Sequence, residues 1–521
     1  MSDIISIQRP SPSAVKELKP RQLRRFYEPV ILRKAIADIA HKHGTIKPPD
    51  RPPRPKTAEE RFHRYVDKLA NMCDWEKGGN TVTAFAILDT EDAFVYVFGC
   101  NEVSDAGLRQ TAEFVVILLQ KISGFRNLKP AEKDAVKKDI FNLLVLFNRP
   151  RVEKYLSALR KELMNCIKSC GDKTHNGPPM LEKWLQELHD AIEDITLEGV
   201  ERSDYLDSCS RCFRQINTFR KATPTKHIDD VADEVRLHDN KSMACWSEMR
   251  HYLARLIAYE RAVTTFVDTE AEWPELFQEF KIWPVSSGPR GKKPLGTKSE
   301  GASSIIGRMS SDDTKTEHYR KLAEGLQMEP YSLDTRIQNK CRSSSFKPRV
   351  HGEVLVLDWI IRKFDRPKLF NGYQYIGTSK GTCKLCEYYF QADPSQIKAR
   401  PSHGNVYTNW AFPEVHERDG KGAIPRRQKI FDSMLGNIRI DAFLILEERS
   451  ATGKRHDSNT YELVSRLQGT TDAGTGGSDT SEVEELSEQF EANLSFTNTS
   501  TAETCSLDSD DDDEGGGAAL S

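Results

Sequence analysis

Residues 350–361 read Val350-His351-Gly352-Glu353-Val354-Leu355-Val356-Leu357-Asp358-Trp359-Ile360-Ile361, and farther along the chain comes Ile376-Gly377-Thr378-Ser379-Lys380-Gly381-Thr382-Cys383-Lys384-Leu385-Cys386. After Glu353 the first run is apolar almost all round, which predicts a buried helix rather than an amphipathic surface one. His351 and Glu353 then sit in its first turn. In the second run, residues 373–378 are rich in strand formers and Ser379-Lys380-Gly381 reads as a turn, so the Cys pair opens a second helix. There the helix dipole and free N–H groups stabilise thiolates. One His and two Cys in this setting can hold a zinc ion (Zn2+) and leave a fourth position for water, while Glu353, which is not a ligand, is placed to carry protons. A lone CxxC or HxE arises easily in a chain with 11 cysteines; helix, strand, turn and helix in that order make them one site.

Zinc with three protein ligands lowers the pKa of bound water to roughly 7. Glu353 then serves as base and acid in turn, the division of labour found in hydrolytic removal of an amino group from a nucleobase. The stretch from Val350 to Leu355, taken with that from Ile376 to Glu387, resembles the nucleic acid/nucleotide deaminase superfamily, and within it a branch found in fungal proteins and a few intracellular bacteria. The likeness covers residues 346–415. It implies an α/β/α sandwich with a mixed sheet, His351, Cys383 and Cys386 as zinc ligands, Glu353 as the catalytic residue, and a nucleotide or nucleic-acid substrate. Thr382 stands where the superfamily usually has Pro.

Two β-rich runs, 81–88 and 93–98, are joined by Asp89-Thr90-Glu91-Asp92 and predict a hairpin. Superfamily members begin with such a hairpin. Its second strand runs into Gly99-Cys100-Asn101, similar to cytidine deaminases, where the Asn helps hold substrate; Asn101 is thus a substrate-binding candidate or a turn-capping residue at a strand end. Glu102 is adjacent to Asn101 rather than two positions beyond it. The gap between the hairpin and His351 is too long for a loop, and apolar stripes fill it at helical spacing: Val152, Tyr155, Leu156, Leu159, Leu163 and Ile167; Leu181, Trp184, Leu185, Leu188, Ile192 and Ile195; Trp246, Met249, Leu253, Leu256 and Ile257. These read as packing surfaces of a helical insertion. Downstream, residues 405–413 predict a further strand, on which Tyr407 and Trp410 either stack on a base or pack the sheet. Ile430, Phe431, Met434, Leu435 and Ile438 predict a closing helix.

The fold class is therefore α/β, a deaminase-type sandwich interrupted by a long all-helical insertion. The expected organisation is an N-terminal helical segment (1–75), the first hairpin (76–104), the insertion (105–285), a flexible linker with a short helix (286–345), the core with HxE and CxxC (346–448) and a disordered acidic tail (449–521). A hydrophobic content of 38% is enough for a large core, while a mean hydropathy of −0.59 requires much polar sequence. Lys plus Arg number 75 against 78 Asp plus Glu, which argues against a wholly basic protein that wraps nucleic acid. Basic Pro-containing runs at 51–56 and 289–294 have linker composition. With neither a secretory signal nor an apolar membrane span, the chain reads as intracellular, cytoplasmic or nuclear, with reduced thiols. Cys166, Cys170, Cys209 and Cys212 could be drawn as a rival four-thiolate zinc site, or as small core residues at helical spacing. The rival function is a catalytically silent deaminase fold that engages a protein partner through the helical insertion.

Overall fold

The computed structural model describes residues 4–10, 13–43, 45–47, 55–170, 180–222, 227–232, 244–296 and 300–453. In chain order, helix α1 (Pro20–His43), strand β1 (Thr45–Lys47) and helix α2 (Ala58–Cys73) precede the hairpin β2 (Thr83–Asp89) and β3 (Phe94–Cys100). Helices α3 (Asp105–Ile122), α4 (Pro130–Phe147), α5 (Arg149–Cys170), α6 (Leu181–Glu193), α7 (Arg202–Ala222) and α8 (Ala244–Glu272) make up the insertion, which ends in strand β4 (Phe280–Val285). Then come α9 (Ala302–Gly307), α10 (Asp313–Glu324), α11 (Leu333–Arg342), α12 (Gly352–Lys363), β5 (Tyr375–Thr378), α13 (Lys384–Ala392), β6 (Lys398–Ala399), α14 (Ala423–Glu448) and β7 (Ser450–Thr452).

One mixed sheet organises the molecule, in the order β4-β3-β2-β5-β6. Strands β2 and β3 pair antiparallel from Thr83 opposite Cys100 to Asp89 opposite Phe94. Despite the long sequence separation, β5 pairs with β2, with Ala84 opposite Thr378 and Phe85 opposite Gly377. Because strand side chains alternate between faces, Phe85, Ile87, Tyr96 and Phe98 pack with α2 and the insertion, while Ala84, Ala86, Leu88, Val95 and Val97 pack with α1, α12, α13 and α14. Helices on both faces give the α/β/α sandwich. Gly377 has no substitute here, because a Cβ at this position would lie 2.6 Å from the Val66 carbonyl carbon of α2.

The apolar stripes of the insertion are buried in the core that covers the first face, including Leu156, Leu159, Leu163, Leu185, Ile192, Trp246, Met249 and Leu256. Three expectations need correction. The insertion is mostly rather than wholly helical, since residues 280–285 add parallel to β3; six residues with Pro284 among them are too short to show a clear alternation. The strand expected at 405–413 is absent: β6 takes its place beside β5, and Trp410 contributes only an isolated bridge to Arg349. Among the described residues, 286–345 carry three helices rather than one, whose sparse apolar positions, such as Ile305, Ile306, Leu333 and Ile337, are buried against the second face.

The sheet edge at β4 is covered by the N-terminal segment, through bridges from Ile5 to Ile282 and from Gln8 to Val285. Strand β7 lies within the stretch expected as tail and pairs parallel with β1. The rest of that acidic stretch, 454–521, and residues 51–54 of the first basic run lie outside the described residues. Among the described residues no helix is long and apolar enough to cross a membrane.

Candidate metal centre

Two helix starts converge at the ends of β2, β3 and β5. His351 and Cys383 are the N-caps of α12 and α13, both with extended backbone. Placing a ligand one residue ahead of each helix directs it to where backbone N–H groups and the dipole favour negative charge. The Cys383 sulfur accepts the Cys386 backbone N–H at 3.4 Å. His351 Nδ1 lies 3.6 Å from Cys383 Sγ and 3.4 Å from Cys386 Sγ, with the two sulfurs 3.4 Å apart. All three residues are buried.

The donor set fits a tetrahedral metal. Metal–sulfur bonds of about 2.3 Å and a metal–nitrogen bond of about 2.0 Å at tetrahedral angles place such atoms about 3.5–3.8 Å apart, close to the separations seen. One imidazole and two thiolates are the donors that zinc prefers, and three ligands leave a position open. Burial opposes a charge on His351, yet the neighbouring Cys383 overrides this and raises its pKa. Cys383, although buried, is held well below the ordinary thiol range by the hydrogen bond with Cys386 and by the His351 imidazolium. Cys386 is pushed well above that range by burial, by Cys383 and by the Glu353 carboxylate beside it. Glu353, in the first turn of α12, is buried and acts electrostatically on both His351 and Cys386.

The ligand helix is fixed to the hairpin. Asn101 accepts the Gly352 N–H through Oδ1 at 2.8 Å and donates through Nδ2 to the Gly79 carbonyl at 2.8 Å, so its amide joins the end of β3, the loop after α2 and the start of α12. Gly352 is required by close approach, since a Cβ there would lie 2.8 Å from the Gly99 carbonyl oxygen and 3.2 Å from that of Val82. The loop after α2 also takes the Lys380 ammonium on the Gly78 carbonyl and the Arg349 guanidinium on Asn80. Arg349 and Arg290 both pair with Glu102. The Gly291 N–H donates to the Pro348 carbonyl, so the basic run 289–294 lies along the segment that enters the site.

Tyr407 is half-buried, its ring 6.1 Å from that of His351 and 5.9 Å from that of His403. Trp410 is different: it is 0% exposed, enclosed by Phe26, Tyr389 and Phe412, and offers no face to a base. Its indole Nε1–H instead donates to Cys386 Sγ at 3.1 Å. Sequence reasoning missed this contact, along with Arg349 and His403 at the site; the periodicity and motif patterns carry no signal for a donor reaching a sulfur from an irregular segment. The rival four-thiolate site is not assembled: among the described residues Cys166, Cys170, Cys209 and Cys212 form no metal-type cluster, and Cys209 and Cys212 are buried in the core. A cavity of about 450 Å³, bordered by Thr382, Lys384, Lys398 and Arg400, lies at the start of α13 and contains none of His351, Glu353, Cys383 or Cys386 in its wall.

Residues 350–414 match the model of the OTT_1508_deam family, an OTT_1508-like deaminase. This chain carries a deaminase-like domain. The match begins one residue before His351 and takes in Glu353 and both ligand cysteines; the fold adds the β2–β3 hairpin to the sheet of the deaminase-like domain from far outside the matched stretch. Neither the curated proteins nor the solved structures gave a match.

Proposed function

We propose that this protein is a zinc-dependent hydrolytic deaminase acting on an amino-substituted base of a nucleotide or nucleic acid. The observation that carries this reading is a buried carboxylate that is not part of the ligand triad, Glu353, placed beside it in the first turn of the helix that His351 caps. A purely structural metal site uses a fourth protein ligand and has no need of such a group. When bound, zinc supplies Lewis-acid chemistry that lowers the pKa of a water to about 7.

The chain's own residues do the rest. His351, Cys383 and Cys386 hold the metal. The Glu353 carboxylate accepts a proton from the attacking water and delivers it to the ring nitrogen, then takes the second proton from the hydroxyl now bonded to carbon and passes it to the amino group as the C–N bond breaks, so that C–NH2 and water become C=O and ammonia. Asn101, through Gly352 N–H, holds the start of α12 and thereby the positions of His351 and Glu353. Tyr407, partly exposed beside His351, is the aromatic side chain placed to contact a base; Arg349 and the basic run 289–294 border the same segment and favour a substrate that carries phosphate.

The test is ammonia release from cytosine-, adenine- and guanine-containing nucleosides, nucleotides and single-stranded oligonucleotides. Glu353→Ala should retain zinc and lose activity by about 10²–10⁴-fold, whereas Cys383→Ala should lose the metal. Zinc-loaded wild type releasing no more ammonia than Glu353→Ala across that panel would overturn the reading in favour of a silent deaminase fold.

A further inference from the structure

We propose that Trp410 is a positioning and tuning partner of the metal centre, its indole N–H bonded to the Cys386 thiolate to set the charge and orientation of that ligand. The proposal rests on the metal-site reading above and extends it to a residue outside the ligand triad. The Nε1–H points at Cys386 Sγ from 3.1 Å, and neither residue is exposed at all. An indole N–H can only donate, and a buried one needs a partner; here the partner is the sulfur.

The ring has no freedom to leave. Phe412 meets it edge-on at 4.8 Å, Phe26 and Tyr389 flank it at about 6 Å, and the Tyr27 hydroxyl donates to the Trp410 carbonyl at 2.8 Å. The backbone on either side is stitched to the segment that carries the other ligand: Arg349 N–H donates to the Asn409 carbonyl, and Ala411 N–H to the Arg349 carbonyl. One residue therefore ties the CxxC helix, through its side chain, to the strand-like approach to His351, through its neighbours' backbone. Cys383 has a matching arrangement, with its sulfur accepting the Cys386 backbone N–H, so each thiolate receives one N–H.

A hydrogen bond to a thiolate withdraws electron density from the sulfur. The thiolate becomes a weaker donor, its lone pairs drop in energy, and the metal keeps more positive charge. Against that weaker donation, the bond holds the sulfur in place and stabilises its buried negative charge, and losing such a partner costs about 10–100-fold in metal affinity.

Cobalt(II) titrated into the full-length chain reports on the sulfur directly through the thiolate-to-cobalt charge-transfer band. Trp410→Phe keeps an aromatic ring but removes the N–H; the band should shift to lower energy and cobalt affinity should fall about 10–100-fold. Replacing Trp410 with benzothienylalanine, which preserves the bicyclic shape and substitutes sulfur for the N–H, should give the same shift with the fold intact. Phe412→Leu loosens the same aromatic cluster without touching the sulfur and should lower thermal stability while leaving the band in place. Wild-type protein that binds cobalt through thiolates, with band and affinity unchanged in both N–H-deleted variants, would overturn this proposal alone. Wild-type protein that binds no cobalt would overturn the metal-site reading and this proposal with it.

Discussion

Gly352→Ala is the smallest change that should disable the metal centre without touching a ligand. The added Cβ would lie 2.8 Å from the Gly99 carbonyl oxygen and 3.2 Å from that of Val82, both backbone atoms in the sheet that cannot step aside. Ordinary C···O contact begins at about 3.3 Å, so α12 must retreat by about 0.5 Å. The Gly352 N–H to Asn101 Oδ1 bond, now 2.8 Å, would stretch to about 3.3 Å, beyond the usual range. Overpacking of this kind costs about 1–3 kcal/mol and a lost hydrogen bond about 0.5–1.5 kcal/mol, which together predict a loss of about 1.5–4.5 kcal/mol. His351 is the adjacent residue and moves with the helix, so zinc affinity, measured by competition with a chromophoric chelator, should weaken at least about tenfold. Gly436→Ala is the control: it lies within α14 with no atom near its would-be Cβ, and should stabilise the chain by about 0.5–1 kcal/mol through helix propensity. Urea unfolding of both variants reads the two signs. If Gly352→Ala unfolds at the wild-type urea concentration and binds zinc as tightly, the close approach of α12 to the sheet is not what sets the site.

Arg151 of α5 and Asp74 form a buried ion pair that locks the insertion to the loop after α2, so Arg151→Met should cost about 3–5 kcal/mol in chemical unfolding by stranding a buried charge, and the double change Arg151→Met with Asp74→Asn should recover part of it. Cys386, whose thiol is pushed well above its ordinary range by burial and by Cys383, is protonated at neutral pH in the metal-free chain; zinc binding must therefore release a proton, and affinity should rise with pH. Calorimetric binding heats that do not depend on the buffer's ionisation enthalpy would contradict this. Gly377→Ala, whose Cβ would collide with the α2 backbone at Val66 and Asp67, should separate α2 from β5 and lower the unfolding midpoint more than Gly352→Ala does, because both clashing atoms sit within 2.7 Å.

The site was legible in the sequence where chemistry demands particular residue types at fixed offsets. His351, Cys383 and Cys386 meet because a ligand ahead of each helix and a turn after β5 leave little choice, and the pairing of β2 with β5 follows from covering both faces of one sheet. Stripes such as Val152 to Leu163 were readable because helical period survives any tertiary context. Short or irregular elements were not. Strand β4 spans six residues, β6 spans two, and each depends on neighbours rather than on its own pattern. Residues 405–413 look β-rich, but Trp410 and Phe412 fill the core between α1 and α13 instead of extending the sheet. Of the two roles the sequence leaves open for Trp410, the structure shows packing, and composition carries no signal for the direction of its N–H.

The most direct test of the account is X-ray absorption at the zinc edge of purified full-length protein, wild type beside Cys383→Ala. The account predicts one zinc per chain bound by two sulfurs at about 2.3 Å and by lighter nitrogen or oxygen atoms at about 2.0 Å, with the metal lost from the variant. Zinc coordinated by four sulfurs, or zinc that persists unchanged in Cys383→Ala, would contradict it.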